Sequence, residues 1–419
     1  MVIFYKIGIF FYSLAIHAAS LFHPKARLFV QGRRNLREGL PGLLEQRNGR
    51  KLLWVHCASV GEFEQGRPLI EEIKKRYPEI FVFLTFFSPS GYLLHKNCPV
   101  ADAVSYLPED TGRNSSRFLD TVCPDMAVFV KYEFWYGYLS GLRRRNIPSY
   151  LVSAIFRKNQ LMTPMLKSSV RKFSAVFVQN EESASLVKKA GVSEVYVAGD
   201  TRFDRVKALS SGKSAGSNPI VEKFADGNRI WIAGSTHDQD EIMIAEALPS
   251  LKTVKFVLVP HEVDGAHLSR IRNVFRDFGI ISYSECAKMP SVQLEAAMSG
   301  ARILLIDCVG ILSSLYRYAS FAYIGGGFTG KGIHNILEPA TYGCPVVFGK
   351  NYGKFQEAVD LVRKGGAVSV RNSSRLAEIL CKWIDNPEST SGASSVCIRY
   401  VNENLGATDY IISEIFKNR

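Results

Sequence analysis

The sequence predicts an α/β protein of two doubly wound domains, each a parallel sheet covered on both faces by helices. Three observations carry this. Short apolar runs alternate with helix-like stretches from residue 52 onward, the rhythm breaks once at 210–219, and the chain has 419 residues, more than the roughly 250–300 at which one core stops growing. In the first series LLWVHCAS, FVFLTFF, MAVFVKY, PSYLVSA, SAVFVQN and EVYVAG are each followed by a turn signal and an amphipathic stretch. Continuous rather than alternating apolarity is the mark of strands buried on both faces. The run SSGKSAGSNP at 210–219 has the composition of a linker. Beyond it, RIWIAGST, VKFVLVP, RILLID, FAYIGGG and PVVFG form the second series. The expected domains are therefore 23–209 and 220–419, the second with a last helix able to pack back on the first, and ligands are expected at the carboxyl ends of the strands.

Composition narrows the function classes. Hydrophobic residues at 47% and charged residues at 22% exclude a long disordered tract. Eight cysteines are scattered singly, with no CxxC pair, which reads as core filler in a reducing compartment. A formal net charge of +13 calls for an anionic partner. Residues 1–22 are apolar apart from Lys6, Ser13, His17 and Ser20, enough for a membrane-anchor helix across about 30 Å of hydrocarbon. Ala19 and Ser20 run into Leu21, Phe22 and His23 without a small-residue cleavage site, which disfavours a signal peptide. Lys25, Arg27, Arg33, Arg34 and Arg37 then place the bulk of the chain on the cytoplasmic side. Between 131 and 172, Arg143, Arg144, Arg145, Arg157, Lys158, Lys167 and Arg171 are opposed only by Glu133. Together with the anchor they suit a surface resting on anionic headgroups, at about 1 kcal/mol per cation. No aromatic-basic motif or zinc finger points to nucleic acid.

Glu62 follows the first strand through Ala58-Ser59-Val60-Gly61 and falls in the first turn of a helix, where the helix dipole favours an ionised carboxylate suited to general-base work. An ordinary helix-start carboxylate is the simpler reading of that residue taken alone. Glu133, between aromatics after MAVFV, and Arg202, in the turn GDTRFD, close two further strands. Arg202 suits a phosphate or carboxylate, or a pairing with Asp204. In the second series Pro260 and His261 close a strand. The run from Gly325 to Gly332 departs from a P-loop, because Gly332 stands where a magnesium-binding Ser or Thr is required. It also fits GxGxxG, without a carboxylate after the next strand to take a ribose. Glycines there permit backbone approach to phosphate, and Glu338 in HNILEPA is placed to accept from ribose hydroxyls. His261-Glu262 lacks the second histidine of a zincin, and Asp238-Gln239-Asp240 reads as helix-start carboxylates. No metal and no cofactor are expected.

The order of these segments resembles the 3-deoxy-D-manno-octulosonic acid (Kdo) transferase family, from the apolar start to about residue 365. The carriers are WVHCASVGEFEQGRPLI, KYEFWYGYLSGLRRRNIP, QNEESASLVKKAGVSEVYVAGDTRFD, IAGSTH, LVPH, IDCVGILSSLYRYASFAYIGGGF and GIHNILEPATYGCPVVFG. The resemblance implies a GT-B fold, an N-terminal acceptor domain, a C-terminal CMP-Kdo domain, a lipid A precursor as acceptor, the bacterial inner membrane as location and metal-independent inverting transfer. Its general base falls on Glu62 and its transition-state-stabilising positions on Glu133 and Arg202. Its CMP contacts fall on Pro260, His261, Val309, Gly310, Ile311, Asn335, Ile336, Leu337 and Glu338. The family usually has Lys at 202, Arg at 261 and Glu at 311, so at the last two the backbone is the stronger expectation. Charge neutralisation of the leaving phosphate is expected from Arg202 and the Gly325–Gly327 amides. The rival readings are a GT-B transferase for another nucleotide sugar, a membrane-bound NAD(P)-dependent oxidoreductase, and a non-catalytic lipid-A-binding protein of the same fold.

Overall fold

The computed structural model describes residues 2–158, 163–212, 216–251 and 254–417. Residues up to Arg205, joined by those from Asn404, form one compact unit, and Val206–Glu403 form the other. The division falls inside the helix Thr201–Ser211 rather than in the Gly/Ser-rich run. Of that expected linker, residues 213–215 lie outside the described residues.

The first unit winds seven parallel strands: β1 (Leu52–Cys57), β2 (Phe81–Phe86), β3 (Ala103–Tyr106), β4 (Met126–Val130), β5 (Ser149–Ala154), β6 (Ala175–Val178) and β7 (Val195–Val197). Their order is β3-β2-β1-β4-β5-β6-β7. Every residue of β1, β2 and β4 is buried, as continuous apolar runs require when helices cover both faces. One face packs Trp54, Phe83, Phe118, Phe129 and Tyr138; the other packs Val55, Phe63, Leu69, Phe86 and Phe177. The C-terminal helix Ala407–Phe416 seals that second face with Ile411, Ile412 and Ile415. Phe416 stacks on Tyr77 with ring centroids 4.3 Å apart. Asp204 accepts the backbone N–H groups of Gly406 and Thr408 at 2.8 and 2.7 Å, fixing the start of that helix.

The second unit repeats the plan with β8 (Arg229–Thr236), β9 (Val254–Pro260), β10 (Ile280–Ser282), β11 (Ile303–Leu305), β12 (Ala319–Ile324), β13 (Val346–Phe348) and β14 (Ala367–Ser369), ordered β10-β11-β9-β8-β12-β13-β14. Trp231, Phe256, Ile303, Phe321, Leu376 and Trp383 build its main core. The strand order reverses between β1 and β4 and between β8 and β12, and in the second sheet β11 is also inserted between β10 and β9. Such switch points open a crevice at the carboxyl ends of the strands, where doubly wound sheets bind ligands.

The N-terminal segment, expected to be a membrane anchor, forms two helices that pass a length-and-apolarity test for spanning only as a bent pair. Among the described residues no single helix is long and apolar enough to cross a membrane. The helix Val2–Ala19 has 18 residues, about 27 Å at 1.5 Å per residue. The chain then bends by 114° into the helix Pro24–Arg34. Tyr5 donates to Asp110 at 2.5 Å, Ser13 donates to Glu109 at 2.8 Å, and Tyr12 packs on Phe29 and Phe87. The segment is thus held along the first unit, with Ile3, Phe4, Ile7, Phe10, Phe11, Leu14, Leu21 and Phe22 left exposed.

Candidate active site

At the first unit's switch point, Ser59 begins the helix Val60–Arg76 directly after β1, and Glu62 sits in its first turn. The Ser59 hydroxyl donates to the half-buried Glu62 carboxylate. Across the switch, Glu133 follows β4 and is buried. It accepts from the Trp135 indole at 2.5 Å, and His56 Nε2 lies 3.2 Å away. The other nitrogen of His56 is 2.9 Å from the Thr85 hydroxyl, which also accepts from Trp54 Nε1 at 2.8 Å. Burial first, then the carboxylates of Glu62 and Glu133, push the Cys57 thiol up. Both acids therefore flank the same strand end. Lys131, between β4 and Glu133, holds the left-handed conformation at φ 70°, a departure of the kind that collects at functional sites.

Arg202 joins this region through a partner other than the expected Asp204. Its guanidinium lies 2.7 Å from the Asp200 carboxylate, and its backbone N–H donates to the same group at 2.9 Å. Asp204 is occupied by the C-terminal helix instead. Gln65, one turn beyond Glu62, donates to Asp200 at 3.3 Å, and Thr201 donates to the Gln65 carbonyl at 2.5 Å. Burial alone would raise Asp200, yet Arg202 and, beyond it, Lys131 hold it below the usual carboxylate range. The structure thus gathers Glu62, Glu133 and Arg202 at the carboxyl ends of one sheet, braced by His56, Trp135, Asp200 and Gln65. Sequence spacing does not single out these supports; a histidine inside a fully buried strand is the one signal that marks His56.

In the second unit the expected donor residues all lie at or beyond carboxyl ends: Pro260 as the last residue of β9 with His261 after it, Val309, Gly310 and Ile311 after β11, and 335–338 beyond β12. Ile336 and Leu337 are fully buried, backbone included. Val309 is exposed and Gly310 has φ 92°. Asn335 donates to Glu338 at 3.1 Å and accepts from the Leu337 N–H at 3.1 Å.

The glycine run corrects its expected role. A Cβ on Gly325 would lie 2.1 Å from the Ser235 carbonyl oxygen, and one on Gly327 would lie 2.5 Å from the Gly349 backbone. The glycines admit the chain's own backbone, not an incoming phosphate. Two of the amides expected to neutralise phosphate are consumed, Gly325 N–H by the Gly234 carbonyl at 2.9 Å and Gly326 N–H by the buried Asp240 at 2.8 Å. Asp240 stands in the first turn of the helix Asp238–Ala247, as read from the sequence.

Three imidazoles gather at the second switch point. His237 follows β8, His261 follows β9 and His334 follows the glycine run. The Nε2 atoms of His237 and His334 are 2.9 Å apart, and the His261 and His334 ring centroids are 4.4 Å apart. Burial, then His261 and His237, push His334 down to about 4. Burial and His237 also lower His261.

Two Rossmann-like units, each a parallel seven-stranded sheet with polar groups at its switch point, define a GT-B-like fold. The solved fold neighbours include a UDP-GlcNAc 2-epimerase from Neisseria meningitidis bound to UDP-GlcNAc (TM-score 0.61, 17% identity, 88% of this chain and 100% of that one). A MurG from Acinetobacter baumannii aligns with TM-score 0.56 at 12% identity over 88% and 99% of the two chains. These show the fold alone. The family model for 3-deoxy-D-manno-octulosonic-acid transferase (kdotransferase) matches residues 33–205. The transferase of that name from Aquifex aeolicus is 29% identical over 81% of this chain and 87% of its own. Those from Rickettsia felis and Haemophilus influenzae are each 25% identical, over 89% and 86% of this chain and 81% and 85% of theirs. The chain thus carries a Kdo transferase domain at 33–205 and is similar to Kdo transferases over most of its length, which indicates a glycosyltransferase. The oxidoreductase reading of the glycine run is set aside.

Proposed function

We propose that this enzyme transfers Kdo from CMP-Kdo to a lipid A precursor by one inverting displacement, with Glu62 as the base. The acceptor hydroxyl oxygen attacks the anomeric carbon of Kdo and gives its proton to Glu62. The bond to the CMP phosphate breaks on the opposite face, and the electron pair leaves with CMP. One base and no second nucleophile are needed. The observation that carries the reading is the Glu62 carboxylate: half-exposed, hydrogen-bonded by Ser59 and set in the first turn of a helix at the first switch point. Glu133 and the Arg202–Asp200 pair supply fixed charges where charge develops in the transition state. In the second unit Pro260, His261 and the loops 309–311 and 335–338 hold the CMP moiety, with Glu338 on its ribose.

The acceptor side is the basic surface of the first unit. A groove of 1050 Å³ beside the N-terminal helix is lined by Lys6, Arg113, Arg143, Arg144 and Lys172 together with Ile9 and Phe10, a mixture suited to a phosphorylated, acylated sugar. Arg145 stands apart: it pairs with Asp120 and donates to the Gly141 carbonyl, a structural use of its charge. The exposed apolar residues of the N-terminal segment support a position in the interface of the bacterial inner membrane, on its cytoplasmic side. Purified protein incubated with CMP-Kdo and a tetraacylated lipid A precursor should give a product heavier by Kdo on mass spectrometry. An acceptor left unchanged by CMP-Kdo but glycosylated from a UDP-sugar would overturn the donor assignment.

A further inference from the structure

His237, His261 and His334 come from three different strand ends, yet each offers a ring nitrogen within 4.8 Å of the other two. Their backbones are pinned. His237 N–H donates to Asp240 at 3.0 Å, His261 N–H to the Thr236 carbonyl at 3.0 Å, and His334 N–H to the Gly325 carbonyl at 3.1 Å. Gly326 makes room for the His334 ring: a Cβ there would lie 3.1 Å from its Cδ2, and the residue has φ 88°. The His237 and His334 rings meet with Nε2 facing Nε2. Such a contact holds a single hydrogen, so it commits one lone pair and leaves the third ring without a part in the bond. Among the described residues, no ion pair ties any of the three rings to a carboxylate.

We infer that these three imidazoles form a binding site for a divalent transition-metal ion of the borderline class, Zn²⁺, Co²⁺ or Ni²⁺. Three imidazoles are a donor set such ions prefer over Mg²⁺ or Ca²⁺. Tetrahedral coordination at 2.0–2.1 Å sets ligand nitrogens about 3.4 Å apart. The His237–His334 pair must therefore open by about 0.5 Å, and the exposed His261 ring must swing in by no more than about 1.5 Å. One ion then uses all three lone pairs and keeps a fourth position for water or an anionic oxygen. The sequence hides the site because no local spacing joins the three residues. It shares His261 with the proposed donor site but does not depend on which sugar nucleotide binds there.

The test is a Co²⁺ titration of the full-length protein followed by visible absorption. It needs neither donor nor acceptor, so its outcome is separate from that of the transfer assay. The expected result is saturation at one equivalent, with d–d bands of low coordination number and no thiolate-to-cobalt charge-transfer band, which separates the histidines from the eight free cysteines. Zn²⁺ should displace the Co²⁺ signal. His261→Ala, which removes an exposed ring, should weaken binding by at least about tenfold, the scale expected for losing a ligand or its support. His237→Ala and His334→Ala should abolish it, while His17→Ala leaves it unchanged. No saturable spectrum in the wild-type protein, a thiolate-type spectrum, or a signal that survives in folded His237→Ala and His334→Ala proteins would overturn the proposal.

Discussion

The two units share a plan and differ in what they place at its functional end. Each has seven parallel strands and a reversal of order beside its first strand. At the first reversal stand carboxylates and a guanidinium with committed partners: Glu62 with Ser59, Glu133 with His56 and Trp135, and Arg202 with Asp200. At the second stand glycines whose missing side chains admit neighbouring backbone, and imidazoles that meet mainly one another. On the proposed reading one winding supports two chemistries, proton transfer and charge stabilisation in the first unit, donor holding in the second. The difference lies in loop residues rather than in the sheets.

The largest effect that would break this division is loss of the base. Glu62→Gln keeps size and hydrogen bonding, and transfer measured at saturating substrates should fall by about 10²–10⁴-fold, the usual contribution of a positioned base. Near-normal turnover would return Glu62 to a helix-start carboxylate. In the second unit the matching test is of shape. Gly325→Ala drives a Cβ against the Ser235 carbonyl at 2.1 Å, and because backbone cannot swing aside the cost should be about 3 kcal/mol, read as a lowered urea midpoint. Asp204→Ala removes the acceptor for two N–H groups at the start of the C-terminal helix. It should cost about 2 kcal/mol, and limited proteolysis should then cut near Asn404.

The smallest expected effect is a pH dependence. Asp110 is buried, accepts from Tyr5 and from the N–H groups of Gly137 and Tyr138, and is pushed up to about 6 by burial. Because its folded value lies above the unfolded one, the folded state takes up a proton first as pH falls. This group should therefore add about 1 kcal/mol of stability between pH 7 and pH 5. The check is the urea midpoint at both pH values, where Asp110→Asn should lack that increment. An equal pH response in both proteins would show that other groups carry it.

Most of the sheet architecture was legible because buried parallel strands are continuously apolar, and eleven runs read this way lie on strands of the two sheets. β3, β10 and β14 escape such a reading. They are short, with four, three and three residues, and all three stand at sheet edges. Glu62 and Glu133 were legible as carboxylates at strand ends. The partner of Arg202 was not, since Asp200 and Asp204 are equally near in sequence and the choice is made by a helix some two hundred residues away that takes Asp204. For the N-terminal segment hydropathy registers apolar residues but not that Tyr5 and Ser13 are bonded to Asp110 and Glu109. The histidine cluster was invisible because only the adjacency of β9, β8 and β12 assembles it.

The central claim, that the first unit performs the chemistry and the second holds the donor, is tested most directly by measuring CMP-Kdo affinity by calorimetry in Glu62→Gln and Glu338→Gln proteins. Glu62 is expected to act as the hydroxyl loses its proton, and Glu338 on a ribose present in ground and transition states alike. The account predicts wild-type affinity for Glu62→Gln and weakened affinity for Glu338→Gln. Weakened donor binding in Glu62→Gln together with wild-type binding in Glu338→Gln would contradict it.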